Sequence, residues 1–194
     1  MRPSGGRELT KTVYMACLDL AGRRCLVVGG GPVGAEKAAG LLAADALVTL
    51  VAPERCAAAA ALELDWQPRG YRASDLDGMF LVIAATSDTS VNQAVHDDAE
   101  RRGMLCNVAD VPALCNFILP AVHRQGPITV GVSTGGASPA LAKALRSQIA
   151  GLVGPEHAAL ALELEALRPA ARSRFASYEE RREYFDELVR ERLS

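Results

Sequence analysis

Arg24-Cys25-Leu26-Val27-Val28-Gly29-Gly30-Gly31-Pro32-Val33-Gly34 reads as a short apolar strand running straight into a glycine-rich turn. Gly29, Gly31 and Gly34 have the spacing G-x-G-x-x-G. In that spacing the first glycine makes the tight turn, the second lets the backbone approach a pyrophosphate, and the third lets a helix pack close on the strand. The helix that follows offers free N–H groups and a dipole that favour phosphate at its N-terminus. Alone the motif is weak, because glycine-rich turns also end ordinary strands. Its flanks strengthen it: Ala35–Ala44 is helix-forming and Leu47-Val48-Thr49-Leu50-Val51 reads as a second strand, completing a βαβ unit.

One part of the dinucleotide fingerprint is missing. After the second strand, where an acid usually holds the adenine ribose, the chain reads Val51-Ala52-Pro53-Glu54. Glu54 stands two residues late and behind a proline. No Arg or Lys stands at the strand end to accept a 2′-phosphate, although Arg55 is near. This reading favours NAD over NADP by a modest margin.

Further along, Leu62–Trp66 is a third candidate strand, and Phe80–Ala85 is a continuous apolar run of the kind central parallel strands show. Ser90–Arg102 has helical periodicity and Met104–Val108 reads as a strand. Strands alternating with helices predict an α/β fold, a Rossmann-type doubly wound parallel sheet. Ligands of such sheets bind at the C-terminal strand ends. The candidate cofactor-binding residues there are Gly29, Gly31, Pro32, Val33, Gly34, Pro53, Glu54, Thr86 and Asn107.

From Pro112 the pattern changes. Asn116–Leu119 and Ile128–Val132 read as short strands, with Pro120 and Gly126-Pro127 between them. Ser133–Pro139 then leads into a helix over Ala140–Ile149, with Ser138 as N-cap and Pro139 at the first helical position. Pro155–Leu167 is an amphipathic segment that Pro169 interrupts, and Ser177 with Glu180 forms a capping box opening a helix to Leu193. The expected domains are 1–112 for nucleotide binding, 113–150 as a small β/α dimerisation region, and 151–194 as a C-terminal helical domain.

Composition bounds the function. The 194 residues are 49% hydrophobic, enough for a real core, and the net charge of −2 recommends neither nucleic acid nor an anionic membrane as partner. Five cysteines without a C-x-x-C argue against a disulfide framework or zinc knuckle. No apolar run approaches the ~18 residues that span a bilayer, and Met1–Lys11 lacks the apolar core of a signal peptide. A cytoplasmic protein is expected.

Five motifs in order carry a resemblance: G-G-G-x-V-x-x-x-K at Gly29–Lys37, A-A-T at Ala84–Thr86 with Asn92 following, N-V-x-D at Asn107–Asp110, F-I-x-P at Phe117–Pro120, and S-x-G-G-x-S-P at Ser133–Pro139. Together they resemble the precorrin-2 dehydrogenase/sirohydrochlorin ferrochelatase family, the N-terminal module of siroheme synthase, over about residues 12–190. The resemblance implies NAD as cofactor, since the missing ribose acid is a family habit, and precorrin-2 as substrate with sirohydrochlorin as product. It also implies a homodimer. The methyltransferase part of siroheme synthase has no counterpart in these residues, which implies a stand-alone enzyme or separated module. Asp110 matches the family's catalytic aspartate, and its presence leans towards a second activity, insertion of Fe2+ as a substrate metal.

No resident metal site is expected, for no H-x-x-x-H or Cys/His cluster occurs. His96, in the helical segment, and His123, read as lying in a turn beside Arg124, are packed or surface residues rather than ligands. Precorrin-2 is rich in carboxylates, so Ser133, Thr134, Gly135 and Ser138, before a helix N-terminus, and Arg124, Lys143 and Arg146 are candidate substrate-binding residues. A helix cap alone also accounts for Ser138 and Pro139. Arg172, Arg174, Arg181 and Arg182 read as a solvated or inter-helix face, since no stacking aromatics are interleaved. The competing function class is an NAD-binding sensor or regulatory module without chemistry, which would normally carry a ribose-binding acid and a partner segment.

Overall fold

The computed structural model describes residues 12–193; the expectation for Met1–Lys11 lies outside them. Contacts group the chain into two compact units, Tyr14–Ile118 and a second from Leu119 onward.

In the first unit, among the described residues, β1 (Arg24–Val28), β2 (Leu47–Val51), β3 (Asp65–Gln67), β4 (Leu81–Ala84) and β5 (Leu105–Val108) form one sheet in the order β3-β2-β1-β4-β5. Every pairing is parallel, which is the expected doubly wound Rossmann-type arrangement. Alternation along the strands builds two cores, one on each face. Cys25, Val27, Val48, Leu50, Leu81 and Ile83 meet Ala35, Ala38 and Leu41 of α1 (Pro32–Leu42) on one face. Leu26, Val28, Val82, Ala84, Cys106 and Val108 meet Val95 and Ala99 of α3 (Thr89–Arg101) on the other. A short helix, α2 (Ala57–Ala60), follows β2.

The third strand is shorter and later than the Leu62–Trp66 expectation, at Asp65–Gln67. The helix expected from Ser90 starts at Thr89 because the Asp88 carboxylate caps it, accepting from the Ser90 and Val91 N–H groups.

Asn116–Leu119 is not a strand, which corrects the sequence reading. Among the described residues one backbone bond, from the Asn116 N–H to the Cys106 carbonyl at 3.1 Å, is all the ladder between this segment and β5, and side-chain amides add to it: Asn116 Oδ1 accepts from the Cys106 N–H at 2.8 Å, and Asn116 Nδ2 donates to the Met104 carbonyl at 2.8 Å. Asn107 Nδ2 donates to the Phe117 carbonyl at 3.0 Å. The segment therefore covers an edge that would otherwise invite another strand.

In the second unit β6 (Ala121–Gln125) and β7 (Ile128–Val132) form an antiparallel hairpin. Its turn is Gly126-Pro127, with Gly126 at φ +55°, the left-handed region that a tight hairpin turn demands. α4 (Pro139–Leu152) begins at the Ser138 cap, where Ser138 Oγ accepts from the Leu141 N–H at 3.2 Å. α5 (Pro155–Arg174) runs unbroken through Pro169, against the expected interruption. Pro169 removes only the bond to the Glu165 carbonyl, and Glu165 is exposed where water can replace it. The Ser177/Glu180 box opens α6 (Tyr178–Leu193), each side chain bonding the other's N–H at 3.1 Å. His123 lies in β6 rather than a turn, with Nε2 3.0 Å from the Val153 carbonyl oxygen.

Candidate functional site

Because the sheet of the first unit is parallel, the C-terminal ends of its strands share one edge. Gly29 to Gly34 leave β1 there, and each fingerprint glycine has a separate steric reason. Gly29 adopts φ +119°, and a Cβ on it would lie 2.4 Å from the Ala85 carbonyl oxygen. A Cβ on Gly34 would lie 1.9 Å from the Gly29 carbonyl oxygen, so α1 can cross the turn only without one. Gly31 differs: a Cβ there would meet nothing within 4 Å. Open space at that position, in front of a helix N-terminus that no side chain caps among the described residues, fits a pyrophosphate. Pro32 stands at the first position of α1, and Val33 beside it is 40% exposed.

A fourth glycine was not singled out by the motif. Gly30 supports the β2 turn: a Cβ on it would lie 2.1 Å from the Glu54 carbonyl oxygen, and the Cys56 N–H donates to its carbonyl at 2.8 Å. Pro53 and Glu54 are exposed beside it. Arg55 places its guanidinium over the Trp66 ring, 4.3 Å from the centroid.

Thr86 leaves β4 and is tied to the buried Asn92: Thr86 Oγ1 donates to Asn92 Oδ1 at 2.9 Å, and Asn92 Nδ2 donates to the Thr86 carbonyl at 3.0 Å. Asn107 is buried, with its amide donor spent on Phe117. These two side chains hold the β4 turn and the end of β5 in place.

Asp110 follows β5 immediately. Its neighbours make a tight turn, with the Ala109 N–H donating to Ala84 at 2.8 Å and the Val111 N–H to Val108 at 3.2 Å. Asp110 sits at φ +60°, one of two described non-glycine residues at positive φ, a conformation aspartate tolerates better than most side chains. Its side chain is exposed and takes no hydrogen-bond or ion-pair partner among the described residues.

In the second unit the hydroxyls of Ser133, Thr134 and Ser138 fold their own loop. Thr134 Oγ1 donates to the Ser138 carbonyl at 3.1 Å and accepts from its N–H at 3.0 Å, while Ser133 Oγ accepts from the Gly135 N–H at 3.2 Å. Gly135 and Gly136 take φ +62° and +92°. Arg124 lies exposed on β6 and Lys143 on α4, three residues before Arg146, whose Nη2 donates to Ser147 Oγ at 3.1 Å and whose Nε is buried without a partner among the described residues. Arg174 lies over the rings of Phe175 and Tyr184, and Arg181 donates to the Phe175 carbonyl at 2.8 Å. Among the described residues no three His, Cys, Asp or Glu side chains cluster as metal ligands, and no helix is long and apolar enough to cross a membrane.

The comparisons agree with this geometry. A family model described as "Putative NAD(P)-binding" matches residues 16–121, and one described as "Sirohaem biosynthesis protein central" matches residues 125–152. A siroheme synthase of Thioalkalivibrio sulfidiphilus is 41% identical over 181 residues, 91% of this chain and 36% of that protein. One from Chromobacterium violaceum is 40% identical over 176 residues, 89% of this chain and 37% of that protein. This chain thus spans little more than a third of the curated relatives it matches. The solved structure of SirC, precorrin-2 dehydrogenase, superposes with a TM-score of 0.79 at 28% identity, covering 94% of this chain and 93% of that one. Fold, glycine turn and family model support NAD as the cofactor. The chain belongs to the family described as "Putative NAD(P)-binding", in the form shared with siroheme synthases and with SirC.

Proposed function

We propose that the chain catalyses NAD-dependent dehydrogenation of precorrin-2 to sirohydrochlorin, with Asp110 as the proton acceptor. The observation that carries this reading is Asp110 itself, an exposed carboxylate without a partner among the described residues, in a tight positive-φ turn at the same sheet edge as the glycine turn. NAD, when bound, supplies a hydride acceptor, so the protein's tasks are orientation and one base. The N–H groups at the start of α1 and the turn at Gly29, Gly31, Pro32, Val33 and Gly34 would hold the pyrophosphate of NAD, and Pro53 and Glu54 would complete its site. Thr86 and Asn107 would serve the cofactor by holding the turns after β4 and β5 in place. The Asp110 carboxylate, exposed at the strand-end edge, accepts the proton that leaves with the hydride. Ser133, Thr134, Gly135, Ser138, Arg124, Lys143 and Arg146 receive the carboxylates of the tetrapyrrole, guanidinium and ammonium groups suiting that task.

The same carboxylate serves a second step in this reading: it takes up pyrrole protons as Fe2+, a substrate, enters sirohydrochlorin. The hairpin supports homodimerisation, because β6 and β7 pair only with each other among the described residues and leave backbone edges to be covered. Segments 113–150 and 151–194 are read accordingly as dimerisation region and helical domain. Five free cysteines fit a reducing cytoplasm. The experiment is Asp110→Asn, assayed for NADH formation from precorrin-2 and for metal-dependent loss of the sirohydrochlorin spectrum. The reading predicts a fall of about 10²- to 10⁴-fold in dehydrogenation with NAD affinity retained. Unchanged dehydrogenation would remove Asp110 from that step.

A further inference from the structure

The end of β2 lacks the carboxylate with which an NAD-selective turn holds the ribose 2′-hydroxyl. Ala52 stands there instead, buried, its carbonyl accepting from Trp66 Nε1 at 3.0 Å. The backbone beyond it is pressed onto the phosphate-binding turn. A Cβ on Gly30 would lie 2.9 Å from Arg55 Cα, and the Cys56 N–H donates to Gly30 at 2.8 Å. Arg55 thus leaves the chain in contact with the fingerprint. Its guanidinium has no ion pair or hydrogen bond among the described residues and rests over the Trp66 ring at 4.3 Å from the centroid. A partly exposed stack of this kind is weak beside a bidentate guanidinium–phosphate pair.

We propose that Arg55 is a receptor for a 2′-phosphate, so that the turn accepts a 2′-phosphorylated dinucleotide, NADP, as well as NAD. The inference rests on the reading of Gly29–Gly34 as a dinucleotide site and extends it to the nucleotide's 2′ end. On binding, the guanidinium exchanges the Trp66 ring for the phosphate while its stem stays on the indole. Glu54, exposed next to it without a partner among the described residues, opposes the phosphate. Discrimination between the two nucleotides is therefore the balance of a neighbouring guanidinium and carboxylate.

The test is calorimetric titration of NAD and of NADP into the full chain at low salt, as wild type, Arg55→Met, Arg55→Lys and Glu54→Gln. Methionine keeps an apolar stem over Trp66, and a circular-dichroism melt checks each fold. Both nucleotides should saturate the wild type at equal stoichiometry and compete with each other. Arg55→Met should weaken NADP about ten-fold or more while moving NAD less than about two-fold, lysine should restore part of the loss, and Glu54→Gln should tighten NADP. The proposal is overturned if the wild type binds NAD but not NADP, or if Arg55→Met weakens both alike, which would leave Arg55 a packing residue. Binding of neither nucleotide would instead overturn the dinucleotide reading, and the subsite with it.

Discussion

Replacing Gly31 by valine separates the nucleotide site from the fold, because this position is sterically free in the protein alone. Gly31 has φ −76° and ψ −177°, extended backbone open to any residue, and a Cβ there would touch nothing within 4 Å. Two small terms act on stability. Losing glycine's freedom in the unfolded chain stabilises by about 0.4–1 kcal/mol, while valine is a poorer N-cap than glycine by a similar amount. The melting temperature should therefore move only slightly. Binding should change far more, because the branched side chain fills the space through which a pyrophosphate reaches the N–H groups of α1. A hydrogen bond to a charged group is worth about 1.5–3 kcal/mol. Losing two predicts about 3–6 kcal/mol, or roughly 10²- to 10⁴-fold in Kd. Calorimetric titration with NAD beside a thermal melt measures both quantities. A Gly31→Val protein that binds NAD as wild type does would refute the reasoning, making the glycine turn a purely structural corner.

Gly34→Ala should act oppositely, since its Cβ would stand 1.9 Å from the Gly29 carbonyl oxygen; denaturant melts should show a loss of about 3 kcal/mol or more, and a loss below about 1 would contradict the close helix crossing. Asp75 is nearly buried and pairs with Arg69 at 2.7 Å. Burial pushes its carboxyl up, but the bonds from Arg69 and from the Arg72 N–H, with the neighbouring positive charges, outweigh this and hold it below the usual carboxylate range. Its contribution is therefore present above the unfolded value of about 3.9 and lost as pH falls through the lower folded value. Asp75→Asn should cost about 1–2 kcal/mol at neutral pH, a gap that narrows in urea melts as pH falls below about 3.9 and that, if constant with pH, would show the pair to be unimportant. Burial pushes the Cys25 and Cys106 thiols up to about 11 and about 12, so a thiol reagent at neutral pH should label the exposed Cys17 quickly and these two only after unfolding. Fast labelling of Cys25 in the native protein would contradict the packing of β1.

Much of the nucleotide-binding half was legible because its signals are local. The apolar run before Gly29, the fingerprint spacing and the Phe80–Ala85 run each depend on a few adjacent residues. The misreadings arise where burial or a partner on another element decides the outcome. Asn116 looks like the start of a strand until its amide is seen bridging Cys106 and Met104. Pro169 looks like a helix break, yet its exposed surroundings let α5 continue at the loss of one bond. Gly30 occupies a free position of the motif and becomes obligatory only because Glu54 and Arg55 fold back onto it. Of the candidate site, the tight turn at Gly29 and the close helix crossing at Gly34 were legible from spacing alone. The Thr86–Asn92 clamp and the stack of Arg55 on Trp66 were not, as neither pairing has a sequence signature.

The central claim is tested most directly by supplying the purified chain with precorrin-2 and NAD under anaerobic conditions and following NADH and the tetrapyrrole spectrum together. The account predicts that NADH appears in step with sirohydrochlorin, one for one, and that Asp110→Asn binds NAD normally but slows both by about 10²-fold or more. A chain that binds NAD yet forms no NADH from precorrin-2 would contradict the account and identify the nucleotide site as that of a sensor.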